Sequence, residues 1–343
     1  MSRSLSPPAH DGPQSPSRTL RVGIVGARGH TGRELLRLIA GHPRLSLTFA
    51  CSREMAGRPV RTVAPEITGD IAFTDASPVA AAEEGVEALF LALPNGLSDE
   101  YVRAASDRPG VIIDLSADHR FDNAWAYGLP ELNEARIRGA RLIANPGCYA
   151  TAMMLALAPL VDDLDGVPCV FGVSGYSGAG TTPSPRNDPR ILGDNILPYQ
   201  LADHTHEREV AHQLGHPIRF APHVAPFFRG ITATVMATLR APTTVADLGA
   251  RFDRFYEGRP LVRVTGENIP LVRDAAGDLG ATIGGLTVSA ADPRNISIVA
   301  TLDNLLKGAA SQAIQNLNLA CGFDPLEGLD HDPTPVAENQ SGA

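Results

Sequence analysis

Of the nucleophilic side chains in this sequence, Cys148 stands in the setting best suited to reactivity. It follows Asn145-Pro146-Gly147, where the strand-like run RLIAN breaks, and it opens the apolar run CYATAMMLALAPL, whose length and composition predict a helix. In the first turn of a helix a thiolate is stabilised by the helix dipole and by nearby amides, which suits covalent chemistry on an activated acyl group. The alternative is a small buried core thiol, a common role for free cysteine. Cys51, Cys169 and Cys321 lack such a setting and read as packing residues.

Two histidines, His204 and His206, flank Thr205, with Glu207 and Glu209 close behind. Imidazole accepts or donates a proton near neutral pH, so this pair suits acid/base work, and a structural or surface pair is the alternative. The H-T-H spacing also invites a metal, but no third ligand stands close by, and no metal is expected.

A second constellation suits a dinucleotide. Gly26, Gly29 and Gly32, with His30 and Thr31 between them, join the apolar run LRVGIVGA to an amphipathic stretch ending near Gly41. A strand turning sharply into a helix brings backbone N–H groups to phosphates, and residues without a β-carbon allow the approach. At the end of the next strand, LSLTFACS, an NAD site often carries a carboxylate for the ribose; here Cys51, Ser52 and Arg53 stand instead. A hydroxyl and a guanidinium suit a 2′-phosphate, which favours NADP(H).

The elements that must position these residues alternate between strand-like and helical patterns. GVEALFLALP and GVIIDLSADHRF are further buried strands, so a mostly parallel sheet is expected, with its crevice beyond the strand carboxyl ends; Asn95, Ser116 and Arg120 lie there. From Val167 the texture becomes β-rich, with RFAPHVA and ITATVMAT as consecutive strands around Phe228-Arg229-Gly230. The expected architecture is α/β: a Rossmann-like dinucleotide-binding domain over 20–150 and an α+β catalytic and oligomerisation domain over 151–303 with a mixed or antiparallel sheet. A helix over 304–323 returns to the first domain, and loose tails cover 1–19 and 324–343.

The chain of 343 residues is long enough for two cores, and its net charge of −9 argues against a nucleic-acid surface. The opening residues lack the apolar run of a signal peptide, no stretch is long and apolar enough to span a bilayer, and the four scattered cysteines suit a reduced cytoplasmic setting. No membrane partner is expected.

Taken together, GARGHTG, DLSADHRF, NPGCYAT, SGYSGAG, HTHEREV, FAPHVAPFFRGI and DNLLKGAASQAIQNLN resemble the N-acetyl-gamma-glutamyl-phosphate reductase family of arginine biosynthesis, within the semialdehyde dehydrogenase superfamily. The motifs run in order over most of the chain between Leu20 and Phe323. The resemblance implies NADPH-dependent reduction of an acyl phosphate to a semialdehyde, with phosphate release through a Cys148 thioester, and a homo-oligomer. It further implies His206 as the acid/base, with His204 supporting it or touching substrate. Arg120 is the expected phosphate ligand and Arg229 a substrate-carboxylate ligand or loop-ordering residue. Gly178 and Asn304 are expected on the cofactor side. Two departures stand out. Family members have Pro-Glu after the histidine pair, whereas Arg208-Glu209 stands here, which unsettles the role of Glu209. The stretch Thr181–Tyr199 also differs from the shorter or more basic text expected after SGAG, and alters either the site rim or a subunit interface. Aspartate-semialdehyde dehydrogenase, with the same chemistry on a shorter substrate, is the alternative enzyme; a non-enzymatic NADP-binding regulator is the alternative of another class.

Overall fold

The apolar alternation that begins at Leu20 becomes the first strand of a computed structural model describing residues 19–108 and 110–329. Residues 1–18 of the expected N-terminal tail, and the C-terminal tail beyond 329, lie outside the described residues. The first domain runs β1 (Leu20–Val25), α1 (His30–Gly41), β2 (Leu45–Cys51), β3 (Phe73–Thr74), α2 (Pro78–Glu83), β4 (Ala88–Leu91), α3 (Ser98–Ala104), β5 (Val111–Asp114), β6 (Ala126–Tyr127), α4 (Pro130–Ile137) and β7 (Leu142–Ala144). Its seven strands lie in the order β3-β2-β1-β4-β5-β7-β6, every neighbour parallel. This is the doubly wound sheet expected from the sequence. Helices cover a parallel sheet on both faces, so β4 is buried at all four positions and its sequence is continuously apolar. The stripe Leu35, Leu36, Leu38 and Ile39 seats α1 on the sheet. Each such side chain, fully buried, contributes about 1.5–3 kcal/mol.

The second domain runs α5 (Cys148–Leu157), β8 (Cys169–Gly175), α6 (Pro189–Leu192), β9 (Leu197–Pro198), α7 (Thr205–Leu214), β10 (Arg219–Ala225), β11 (Ile231–Thr238), α8 (Val245–Phe255), β12 (Val262–Val264), α9 (Val272–Ala275), β13 (Ala281–Val288) and β14 (Asn295–Leu302). The sheet order is β12-β13-β14-β11-β8-β10-β9. It is mixed, parallel at β8–β10 and β12–β13 and antiparallel elsewhere. The consecutive strands β10 and β11 do not form a hairpin; they flank β8 on its two sides.

Three boundaries differ from the sequence reading. Helix α5 is buried from Tyr149 to Leu157 and shares a core with Val170, Ile231, Val235 and Ile298 of the second sheet. The domains therefore meet at Gly147, and residue 150 falls inside a helix of the second. The returning helix is α10 (Ala310–Cys321), preceded by a turn, and its Ala313, Ile314 and Leu317 join the core that contains β1 and α1. Asp324–Leu329, expected to be loose, is held: the Leu329 side chain is buried and Asn318 Nδ2 donates to the Glu327 carbonyl at 2.8 Å. Cys169 is exposed on the open face of the second sheet and packs in no core, whereas Cys51 is buried.

Candidate active site

Cys148 is the first residue of α5, with Gly147 as the N-cap at φ −70° and ψ 147°. Pro146 and Gly147 thus complete a turn that β7 enters and α5 leaves, and the turn is held from three sides. From α7, Glu209 accepts the Gly147 N–H at 2.9 Å through Oε1. The same oxygen accepts the Tyr127 hydroxyl at 2.6 Å, while Oε2 accepts Arg120 Nη1 at 3.0 Å. From α10, Asn316 Nδ2 donates to Asn145 Oδ1 at 3.0 Å, and Asn145 Nδ2 donates to the Ala309 carbonyl at 3.1 Å. From the loop after β5, Arg120 Nε donates to the Asn145 carbonyl at 2.9 Å. Buried polar groups that satisfy one another in this way fix a single geometry.

The histidines come to the same turn. His204 caps α7, its Nδ1 accepting the His206 N–H at 3.1 Å, and packs edge-on against His206, Phe220 and Tyr199. A β-carbon on Gly147 would collide with His206 Nε2 and stand 2.7 Å from Arg120 Nη1, so only glycine lets the imidazole lie beside the cysteine. On the opposite side a β-carbon on Gly308 would stand 2.7 Å from Cys148 Cβ. Burial, reinforced by the Arg120 charge, holds His206 well below its ordinary value, and burial brings His204 down to about 4. Both imidazoles are neutral near pH 7. His206 Nδ1 is buried without a hydrogen-bond partner among the described residues.

Burial also pushes the Cys148 thiol up to about 11, against the pull of the Tyr149 amide and the Arg120 guanidinium. The amides at the helix start act in the expected direction, and desolvation acts against them.

Cys148 and His206 open onto a cleft of about 1110 Å³ that runs to the glycine turn. Gly26, Gly29, His30, Thr31 and Gly32 line it, as do Ser52, Arg53, Asn95, Gly178 and Asn304. Gly26 holds φ +84°, and a β-carbon there would stand 2.7 Å from the Ala92 carbonyl carbon, which sets the close packing of the turn on the loop after β4. Gly29 has only the Gly26 carbonyl, 3.6 Å away, near its β-carbon position, so its face is open to the cleft. The first turn of α1 leaves N–H groups without intrahelical acceptors. This cradle fits the pyrophosphate of a dinucleotide.

Other expected residues lie elsewhere or do something else. Ser116 does not line the cleft. It is buried and donates to Asp114 Oδ2 at 2.9 Å, in a network with Ser98 and His119 that shapes the loops after β4 and β5. Arg229 also lies outside the cleft, bridging Glu34 of α1 at 2.9 Å and Asp303 at 2.5 Å. It ties the domains together, and its Nη2 is buried without a hydrogen-bond partner among the described residues. Arg120 reaches the cleft, but Nε, Nη1 and Nη2 already donate to Asn145, Glu209 and Leu115. Glu209 is fully buried and supports the turn. The sequence reading missed Arg28, Ser77, Thr181 and Arg186, all of which line the cleft. Arg28 was visible inside the glycine motif and Thr181 and Arg186 lie in the Thr181–Tyr199 stretch that stood out in the sequence, whereas Ser77 carried no local signal.

Comparison with known proteins follows the same division. The family described as "Semialdehyde dehydrogenase, NAD binding domain" matches residues 21–140, and "Semialdehyde dehydrogenase, dimerisation domain" matches 148–304. An N-acetyl-gamma-glutamyl-phosphate reductase of Stenotrophomonas maltophilia is 54% identical over 315 residues, covering 91% of this chain and 99% of its own. The chain belongs to the N-acetyl-gamma-glutamyl-phosphate reductase family. A second member, from Xanthomonas euvesicatoria, is 52% identical, with 89% of this chain and 96% of the relative covered. The resemblance read from the ordered motifs is thus borne out. Aspartate semialdehyde dehydrogenase II of Vibrio cholerae, solved with ASA, superposes with a TM-score of 0.74 over 89% of this chain and 99% of its own, at 21% identity. That likeness shows the shared fold and gives the alternative enzyme no further support. The family's binding domain makes the cofactor a nicotinamide dinucleotide. Among the described residues no helix is long and apolar enough to cross a membrane, and no three His, Cys, Asp or Glu side chains group to hold a metal.

Proposed function

We propose that this chain reduces N-acetyl-L-glutamyl 5-phosphate to N-acetyl-L-glutamate 5-semialdehyde with release of phosphate, using NADPH. The observation that carries the reading is the convergence of Cys148, His206 and the glycine cradle on one cleft, in a member of this family. Cys148 is the nucleophile. In the resting site a neutral thiol faces a neutral imidazole, and moving the proton from Sγ to Nε2 is uphill. An acyl phosphate brings negative charge beside His206, which favours imidazolium, so the thiol is activated as substrate arrives. The thiolate then attacks the acyl carbon, the C–O bond to phosphate breaks as the departing group takes the proton from His206 and leaves as hydrogen phosphate, and a thioester remains on Cys148 while a solvent proton recharges His206. A reduced nicotinamide, when bound, supplies the hydride that the thioester carbon accepts. His206 protonates the oxygen that gains charge, then relays that proton to sulfur as the C–S bond breaks and the aldehyde leaves. Positioning is the work of Glu209, Arg120 and Asn145, which hold the turn so that the sulfur stays at the cleft.

The preference for NADPH rests on the end of β2. Arg53 pairs with Asp75 at 3.6 Å and Arg28 with Glu54 at 2.7 Å, so the nearby carboxylates already have cationic partners, and Ser52 and two guanidinium groups face the ribose end. Exposed Phe171 and Met236 on the open face of the second sheet, in the domain whose family is described by dimerisation, support assembly as a homo-oligomer. The cleft's size and lining suit small molecules, and a cytoplasmic biosynthetic enzyme is the setting proposed.

Phosphate-dependent NADP+ reduction, run side by side with N-acetyl-L-glutamate 5-semialdehyde and aspartate semialdehyde, tests the reading. Turnover of the acetylated aldehyde, nearly abolished in Cys148→Ser while NADPH still binds, is expected. Activity with aspartate semialdehyde alone would overturn the substrate.

A further inference from the structure

We infer that Arg186 clamps an oxyanion of the acyl substrate, and that the Thr181–Tyr199 segment serves to hold it at the site. The inference rests on the reading of the cleft proposed above. Four arginines line that cleft: Arg28, Arg53, Arg120 and Arg186. Arg120 is held inside by Glu209 and two carbonyls, while Arg28 and Arg53 pair at the exposed ribose end with Glu54 and Asp75 and belong to the dinucleotide side. Arg186 forms no ion pair with a carboxylate among the described residues. The nearest acid in sequence, Asp188, is itself occupied: it accepts the Arg190 N–H at 2.9 Å and pairs with the Arg190 guanidinium at 2.7 Å.

The segment is built to place this cation. Asn187 closes a turn around it: Ser184 N–H donates to Asn187 Oδ1 at 2.8 Å, and Asn187 Nδ2 donates to the carbonyls of Gly180 at 3.0 Å and Thr182 at 2.9 Å. The turn is thereby anchored to the end of the SGAG loop, whose Gly178 faces the cleft. The Arg186 guanidinium lies over the Tyr199 ring, 4.9 Å from its centre. Tyr199 is fixed in turn by its N–H to the Pro222 carbonyl at 3.2 Å and by its ring against His204. The pair lies beside the chemistry: Arg186 lines the same cleft as Cys148 and His206, and the Tyr199 ring packs on His204, whose imidazole the Arg186 charge helps to lower. The proposed substrate carries a carboxylate and a phosphate, and a chain of net charge −9 must meet them with local cations. A guanidinium held on an aromatic face, with no carboxylate partner among the described residues, meets an oxyanion in bidentate geometry.

The oxyanion is either the transferred phosphate or the substrate carboxylate, and kinetics in the aldehyde-oxidising direction separate them. There phosphate, semialdehyde and NADP+ have independent KM values. In Arg186→Ala, the KM of one anionic reactant is expected to rise roughly 10- to 100-fold, the NADP+ KM to stay unchanged, and Arg186→Lys to recover part of the loss. A rise for phosphate identifies the phosphate, and a rise for the semialdehyde identifies the carboxylate. Unchanged KM values for both, or a rise confined to NADP+, would overturn the assignment. Calorimetric binding of inorganic phosphate and of N-acetyl-L-glutamate to the NADP+-loaded protein gives a readout free of turnover. Loss of either in Arg186→Ala, with an unchanged thermal midpoint, sustains the clamp even if wild type fails to turn over the acetylated aldehyde; retention of both refutes it.

Discussion

Replacing Glu209 by glutamine removes one charge from the interior and leaves the shape almost unchanged. Glu209 has no exposed surface and holds three donors: Arg120 Nη1, the Tyr127 hydroxyl and the Gly147 N–H. A carboxylate accepts all three. An amide has a single acceptor oxygen, so its nitrogen must face either Arg120 or the pair at Oε1. The first choice sets donor against donor and leaves a buried guanidinium without its counter-charge. The second removes the acceptor of the Gly147 N–H. Breaking a buried ion pair by neutralising one partner costs about 3–5 kcal/mol. A loss of roughly that size is expected in urea unfolding, seen as a lower midpoint at unchanged slope. A second readout follows from the same geometry. Glu209 raises the Cys148 thiol and Arg120 lowers it, so iodoacetamide should alkylate Cys148 faster in Glu209→Gln and more slowly in Arg120→Gln at pH 8. A stability loss below about 1 kcal/mol, with alkylation rates unmoved in both variants, would refute the electrostatic account of the turn.

Other perturbations have equally definite outcomes. His204 is buried and neutral with its pKa at about 4, below its unfolded value; its contribution is present above that unfolded value and is lost as pH falls from about 6.5 through 4. Urea titrations at pH 7.5 and 4.5 should differ on the order of 3 kcal/mol from this group, and His204→Asn should remove that part while His206, lowered in the same sense, still contributes. Gly147→Ala drives a methyl group into His206 and Arg120, so kcat should collapse for a stability loss of only about 1–3 kcal/mol; near-normal kcat would contradict the placement of His206. Lys307, fully buried, donates to Glu131 at 2.7 Å and Gln315 at 3.1 Å. Lys307→Met should cost about 3–5 kcal/mol in urea unfolding, and adding Glu131→Gln should recover part of it.

Where function was legible in the sequence, the demand was local. The glycine turn and the Asn145–Cys148 turn each lie within one strand–helix junction, and their residue types follow from the backbone alone. The acids and cations were harder, because a charge's role depends on its partner. Arg120 reads as a phosphate ligand, and its second partner, Glu209, stands 89 residues away and was not visible. Arg229 likewise meets Glu34 across 195 residues. Ser116 sits at the carboxyl end of a sheet strand as predicted, yet Asp114 turns its hydroxyl inward. In α10 an apolar stripe was visible, but Gln312 and Asn316, which look like a solvent face, are buried on the Gly128 carbonyl. Arg186 lies in the Thr181–Tyr199 stretch that stood out, but its own role gave no signal, because the turn that presents it closes through the side chain of Asn187.

The central claim is that the acyl group passes onto Cys148, and trapping that intermediate tests it most directly. Protein incubated with N-acetyl-L-glutamyl 5-phosphate in the absence of NADPH, quenched in acid and digested, should show the Cys148 peptide heavier by one N-acetylglutamyl group, with an equivalent of phosphate released. Subsequent NADPH should discharge it as the semialdehyde, and Cys148→Ser should show neither. An unmodified Cys148 peptide in protein that turns over normally, or full turnover in Cys148→Ser, would contradict the account.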